Sequence, residues 1–290
     1  VIITGDNVEN YNNADDTKKI IDALMSVFEV RNIPVAVTFG NHDSESGAMS
    51  REELMAYYNT HPSSVSVDDG EALYGCGTYN LPIYSSDGSK IAYNLWMIDS
   101  NMYDENGYDH VHQDQLDWYV KTSNELKEQN GGKAVPSMMF QHIIVPDVNV
   151  HGIFVDAPPC ADPKAKEGPE TGYRMDWPDG ARRMLLAPGV AGALKEHTCP
   201  PFWKTYRDAA HTFEGRTLYD SWRRMGNLRG AYFGHDHMNT FDGTDANGVR
   251  MGMTKCCSLW SYNDGNPGVR AFTVRPDGTY ATSIFAESDC

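Results

Sequence analysis

Four apolar stretches of this 290-residue chain each stop on a residue type that binds metal ions. Residues 1–4 run into Gly5-Asp6, residues 34–39 into Gly40-Asn41, residues 135–141 into His142, and residues 229–233 into Gly234-His235-Asp236-His237. Short β-branched and aromatic runs of this kind read as strands. In an open α/β sheet, ligands collect at the carboxyl ends of the strands. A strand also holds its terminal residue rigidly, so Asp6, Asn41, His142, His235 and His237 can converge on one crevice at little ordering cost.

The rest of the chain fits such a sheet. Ile20, Ile21, Leu24, Val27 and Phe28 recur at helical spacing behind Asp15-Asp16-Thr17, which offers N-cap chemistry. Together with the first two strands they make a β-α-β unit, parallel by the right-handed crossover rule. A short helix is expected over 50–58 and surface loop over 63–77. A hairpin is expected from strands 78–84 and 91–98 joined at Ser86-Asp87-Gly88, and a helix over 113–128 that Gly131-Gly132 ends. The segment 147–228 is far longer than an ordinary connection and rich in Pro, Gly and aromatics, which suggests a capping, substrate-selecting insertion. Helical patches are expected there at 192–197 and 218–225. Beyond 233 the chain reads as antiparallel β over 250–259, 269–274 and 280–287, the last two joined by a Pro276-Asp277-Gly278 turn. The whole is expected to be one domain.

Charge narrows the function classes. Lys and Arg number 24 against 40 Asp and Glu, a formal charge of −16. That field repels a nucleic-acid backbone, so no nucleic-acid partner is expected. It would repel phosphate esters too, unless bound cations invert it locally. No run of apolar residues is long enough to span a membrane, and no signal-peptide pattern opens the chain. Six widely scattered cysteines without CxxC spacing are compatible with disulfides in an exported protein and equally with buried free thiols. Val1 in place of Met, already in strand-like sequence, leads to the expectation that the chain is N-terminally truncated.

Carboxylate, carboxamide and imidazole at strand ends, with no thiolate, suit Zn, Mn or Fe. Gly5-Asp6, Gly40-Asn41-His42-Asp43, Gln141-His142 and Gly234-His235-Asp236-His237 together resemble, in order and spacing, successive motifs of the calcineurin-like metallophosphoesterases. The wider wording around them is similar to the fungal and plant purple-acid-phosphatase-like branch. The resemblance implies an α/β, two-sheet sandwich with flanking helices and a dinuclear centre of divalent or trivalent ions. Asp6 would bridge both ions, Asn41, His142 and His235 would complete the second site, and His237 would bind the first. It further implies a bridging hydroxide nucleophile, His42 as the acid that protonates the leaving group, and Asp43 as the residue that orients His42. The substrate would be a phosphoester, small molecule or phosphoprotein, with monoesters preferred over diesters. Two departures stand out. Glu9 occupies the position of the purple members' tyrosine ligand, and the family's opening Asp-x-His motif lies upstream of this sequence. With that motif absent, one ion per chain, or a non-catalytic metal-binding relative, is the alternative.

Other residues invite blander readings. His151 reads as a surface histidine rather than a substrate contact. His110 and His112 flank Val111 as two alternating ligands would, or as solvated loop histidines. Asp99 reads as structural, fixing the turn after its strand, and Cys256-Cys257 as free thiols on opposite faces of a strand.

Overall fold

A computed structural model describes residues 1–8, 13–68, 73–162, 164–209 and 217–289. Strand β1 (Ile2–Ile3) leads through helix α1 (Ala14–Glu29) to β2 (Ala36–Val37), and the two strands pair in parallel. Asn13, rather than Asp15 to Thr17, caps α1: its side chain accepts the Asp16 N–H at 2.8 Å, and Asp15 and Asp16 fall in the first turn. Helix α2 (Arg51–Tyr58) starts at a Ser50–Glu53 capping box.

Strands β3 (Tyr79–Tyr84) and β4 (Ile91–Ile98) form the expected antiparallel hairpin. A small hairpin, β5 (Tyr103–Asp104) and β6 (Gly107–Tyr108), follows, and then α3 (Gln113–Gln129) crosses over to β7 (Ser137–Gln141), parallel to β4. The long segment after β7 holds a three-stranded sheet in the order β8 (Phe154–Asp156), β10 (Arg182–Leu186), β9 (Tyr173–Met175), then α4 (Trp203–Ala209) and α5 (Leu218–Met225). Residues 192–197 are not helical. Gly192 has φ +107° and sits against the Thr240 carbonyl, and the Lys195 and Glu196 N–H groups are taken up by Asn239 Oδ1 instead of by a helical ladder.

Strand β11 (Leu228–Phe233) pairs with β7, and β13 (Arg250–Met253) pairs with β11, both in parallel, while β12 (Asp242–Thr244) closes the edge antiparallel to β13. The sequence expectation of an antiparallel strand over 250–259 is corrected on both counts. β13 ends where its partner does, with Met253 opposite Phe233. Cys256 and Cys257 therefore lie outside any strand, and the five described cysteines, 76, 160, 199, 256 and 257, are all free thiols. The last hairpin joins β14 (Gly268–Val274) to β15 (Tyr280–Ala286).

The result is an α/β fold around a six-stranded mixed sheet, β12-β13-β11-β7-β4-β3. Its central strands are apolar on both faces, as parallel strands covered on both sides must be. Alternation sends Trp96, Ile98, Met139, Ala231 and Phe233 to the face covered by α3 and α5. It sends Tyr93, Met138, Phe140 and Tyr232 to the opposite face, under Ile2, Phe272 and Tyr280. The second β layer thus consists of two small sheets, β1-β2 and β14-β15. α1 and α2 close a further cluster around the fully buried Ile21, Val37, Phe39, Leu54 and Tyr58.

Candidate metal centre

Two adjacent strand pairs bring the predicted ligands together. Gln141 and Phe233 are register partners at the ends of β7 and β11, so His142 and His235 emerge side by side, their rings 5.1 Å apart. Asp6 and Asn41 follow β1 and β2. Asp6 Oδ2 lies 2.9 Å from His142 Nε2, and His142 Nε2 lies 3.3 Å from His235 Nδ1. Donor atoms of Asp6, His142 and His235 all fall within 4.8 Å of one another, a spacing that admits one ion.

The backbone is bent to achieve this. Asp6 and His235 both hold positive φ, +55° and +71°, conformations that non-glycine residues adopt rarely and chiefly where function over-determines the turn. Glycine at 40 lets the two loops touch, since a Cβ there would stand 2.2 Å from Asp6 Oδ1. Asp43 locks the arrangement. Its buried carboxylate accepts the backbone N–H groups of Asp6 (2.8 Å), Asn7 (2.9 Å), Val8 (3.3 Å) and Gly40 (2.7 Å). Burial, with the charge of Asp6 beside it, raises the Asp43 pKa despite those bonds.

This is a different role for Asp43 from the one expected. The His42 imidazole is held by Glu45, Nδ1 to Oε2 at 2.5 Å, while the His42 N–H donates to Asp6 Oδ1 at 2.9 Å. Asp43 orients the loop, and Glu45 orients the ring.

The donor set fits metal ions. His142 Nδ1 donates to the Thr4 carbonyl at 2.8 Å, which fixes the tautomer that leaves Nε2 facing Asp6, the usual way a ligating histidine is oriented. Asn41 donates its amide to Tyr103 Oη at 2.8 Å and is fully buried, and its Oδ1 has no hydrogen-bond partner among the described residues. The same holds for His235 Nε2. Unpaired buried acceptors are rare and want a ligand. Burial pushes Asp6 up, but the His142 charge and hydrogen bond outweigh it and hold the carboxyl well below its usual range. His142 is raised, burial notwithstanding, by Asp6, whereas burial and the charge of His142 push His235 down to about 3, keeping it a neutral base.

His237 lies outside the three-residue cluster. Its ring stacks on Tyr262 with centroids 4.2 Å apart, and Nδ1 lies 2.8 Å from both the Tyr262 carbonyl and Ser261 Oγ. Position 9, the site of the departure from the purple members, falls outside the described residues.

No family model matches the chain. Individual relatives do. It is 30% identical over 165 residues to "Probable inactive purple acid phosphatase 29" of Arabidopsis thaliana, a match over 51% of this chain and 42% of that protein. It is 26% identical over 263 residues to the Arabidopsis protein named "Probable inactive purple acid phosphatase 28", over 84% of this chain and 54% of the other. It is 28% identical over 160 residues to phosphatase DCR2 of Saccharomyces cerevisiae, over 51% and 26%. The chain therefore spans about half the length of these curated relatives, or less.

These relatives support a place in the calcineurin-like metallophosphoesterase superfamily, the family that the chain's motifs resemble. Within that superfamily they point to the plant and fungal purple-acid-phosphatase-like branch. A solved dimetal phosphatase from Danio rerio aligns over 99% of this chain and 77% of that one at 14% identity, with a TM-score of 0.49. Among the described residues no helix is long and apolar enough to cross a membrane.

Several residues that shape this candidate centre were missed in the sequence. Glu45 stands three residues after His42 in the same motif. Tyr103 follows the end of β4, and a further strand ending beside the site is the signal that could have found it. Tyr108 presents its ring edge-on to His235 at 4.4 Å. From the long segment, the Cys199 N–H donates to Asp236 Oδ1 at 3.2 Å, which places that thiol beside His235. Burial pushes Asp236 up to about 7, with help from Glu196. Asp99 is structural as expected: it pairs with buried Arg51 and accepts the N–H groups of Cys76 and Asn101, each at 2.9 Å. His151 leans over Tyr219, ring centroids 4.5 Å apart, near buried Asp147.

Proposed function

We propose that this chain hydrolyses phosphoric monoesters at a dinuclear metal centre, on a small molecule or a phosphoprotein. The observation that carries the reading is the cluster of Asp6, His142 and His235 at adjoining strand ends, with the buried Asn41 carboxamide oxygen left without a partner. Bound ions would supply a water-derived nucleophile and offset phosphoryl charge, which a chain of net charge −16 otherwise repels.

The protein's own groups do the rest. Asp6, Asn41, His142 and His235 would hold one ion, and Asp6 and His237 would contribute to the other. His42 gives its proton to the departing alkoxide, and Glu45, on Nδ1, fixes the ring and favours the protonated form. Tyr103 and Tyr108 wall the cleft. The segment 147–228, which delivers Cys199 to the rim, selects the substrate.

Two of the relatives are named inactive and one a phosphatase, so the decisive experiment measures metal and turnover together. Purified protein is loaded with Mn²⁺ or Zn²⁺, its metal content determined, and hydrolysis of p-nitrophenyl phosphate and its bis-ester followed for the wild type and His42→Ala. The expected result is at least two ions per chain, preference for the monoester, and a fall in kcat of about 10²- to 10⁴-fold in the variant at unchanged metal content. Metal without turnover, or equal rates in both proteins, would replace this reading with a non-catalytic metal-binding relative.

A further inference from the structure

A second cluster of metal-binding side chains lies outside the centre described above. After β6 the chain runs extended through Asp109, His110, Val111 and His112 into α3. Val111 is buried in the main core, and alternation turns the two flanking imidazoles to a common side, where their rings stack 4.5 Å apart. Asp109 Oδ1 lies 3.1 Å from His110 Nδ1 and 2.9 Å from His112 Nε2, and Asp104 Oδ2 stands 3.9 Å from His110 Nδ1.

His110 is not the solvated loop residue that composition suggests. It is 5% exposed, and neither ring nitrogen makes a hydrogen bond among the described residues. Nδ1 has only the Asp109 carboxylate beside it, outside hydrogen-bond geometry, and a buried imidazole so poorly satisfied calls for a ligand. Donor atoms of Asp109, His110 and His112 all lie within 4.8 Å of one another.

We propose that Asp109, His110 and His112 form a separate site for a zinc-type divalent cation, with Asp104 within reach as a fourth ligand. Two imidazoles and one or two carboxylates are the donor set that borderline cations prefer. Tetrahedral zinc holds its donors roughly 3.3 Å apart, and the two spacings from Asp109 Oδ1, 3.1 and 2.9 Å, need shifts of only a few tenths of an ångström. One ring must also turn, because imidazole lone pairs lie in the ring plane and these planes are 6° from parallel. His112 is the ring with room. It is partly exposed, and its outer face is covered by Tyr74 at 3.6 Å between centroids. Cation binding therefore breaks the Tyr74–His112 stack.

The site would act on the main centre from behind. Residues 103–108 form the hairpin whose Tyr103 holds Asn41 and whose Tyr108 packs on His235. A cation bridging Asp109, His110, His112 and Asp104 clamps the base of that hairpin.

Zinc content after equilibrium dialysis tests this on the whole chain. In His142→Ala/His235→Ala, where the first cluster is disabled, one zinc per chain should remain, and adding His112→Gln should weaken its binding at least 100-fold. In the wild-type background, His112→Gln should lower the zinc content by one per chain, and zinc should shift the Tyr74 ring resonances of the wild type but not of the variant. No zinc in the double variant, or zinc undiminished by His112→Gln in both backgrounds, overturns the proposal. If the double variant does not fold, the wild-type comparison and the Tyr74 signal decide alone. Neither readout depends on phosphoester turnover, so the site stands or falls apart from the proposed activity.

Discussion

Gly40 and Asp43 show how few atoms hold the two metal-binding loops in place. A methyl group at position 40 would collide with Asp6 Oδ1 and with the Asp6 backbone nitrogen at 2.7 Å, neither of which can yield without moving a ligand. Gly40→Ala is therefore expected to lower metal content to that of His142→Ala/His235→Ala while leaving a folded protein, checked by metal content beside circular dichroism. Asp43 and Glu45, both near His42, should separate cleanly. Asp43→Ala strands four backbone N–H groups, two of them flanking the Asp6 side chain, and should destabilise the fold by about 3 kcal/mol in urea unfolding. Glu45→Gln leaves those bonds intact and removes a negative charge from the His42 ring. Its stability should hardly change, while the alkaline limb of the kcat profile moves to lower pH, because the imidazolium loses the partner that favours it. An unchanged profile would remove Glu45 from the acid's support.

At the scale of elements, Asp264 pins the loop that carries Ser261 and Tyr262, the partners of His237. It receives Lys255 Nζ at 2.5 Å and, from the long segment, Lys195 Nζ at 3.2 Å. Burial raises its pKa, but the hydrogen bonds from the two ammonium groups outweigh that, and the folded value lies below the ordinary 3.8. A depressed carboxyl contributes stability that is present above the unfolded pKa and lost as pH falls through the folded one. Below about pH 4 the loop should loosen first, seen as faster proteolysis or hydrogen exchange over 255–266, and Asp264→Asn should show that looseness at neutral pH. How much of this could be read in advance follows from the same geometry. Asp6, Asn41, His142 and His235 were legible as candidate ligands because each follows an apolar run, and a strand end is visible in sequence. The true length and direction of β13 were not, because it stops where β11 stops, and nothing in Thr254-Lys255-Cys256-Cys257 marks that. β8, β9 and β10 are three to five residues long, too short for a period to show. The choice of Glu45 over Asp43 as the ring's partner depends on the turn after Asn41, which residue types alone do not specify.

Over the whole molecule, the candidate centre ties two β layers that are otherwise joined by packing. Asp6 and Asn41 come from the small β1-β2 sheet, and His142 and His235 from the large one. Apolar packing already joins these layers: Val37 and Phe39 share a buried cluster with Tyr79 and Met97 of the large sheet, and Ile2 packs on a second cluster that includes Met138 and Phe140. An ion held by all four residues would thus crosslink the layers, and its binding energy would become folding energy. At an ion concentration 100 times the dissociation constant, linkage gives about 2.7 kcal/mol, or roughly 5 °C in Tm for a domain of this size. Chelation should lower Tm by about that amount and raise hydrogen exchange together at 2–6, 36–41 and the ends of β7 and β11. A chain of net charge −16 gains something from any added cation by screening, so the comparison is Mn²⁺ against NaCl at equal ionic strength. Screening raises Tm equally in the wild type and in His142→Ala, whereas crosslinking raises it only where the ligands are intact. An Mn²⁺ increment that survives His142→Ala would mean that the layers are held by packing alone.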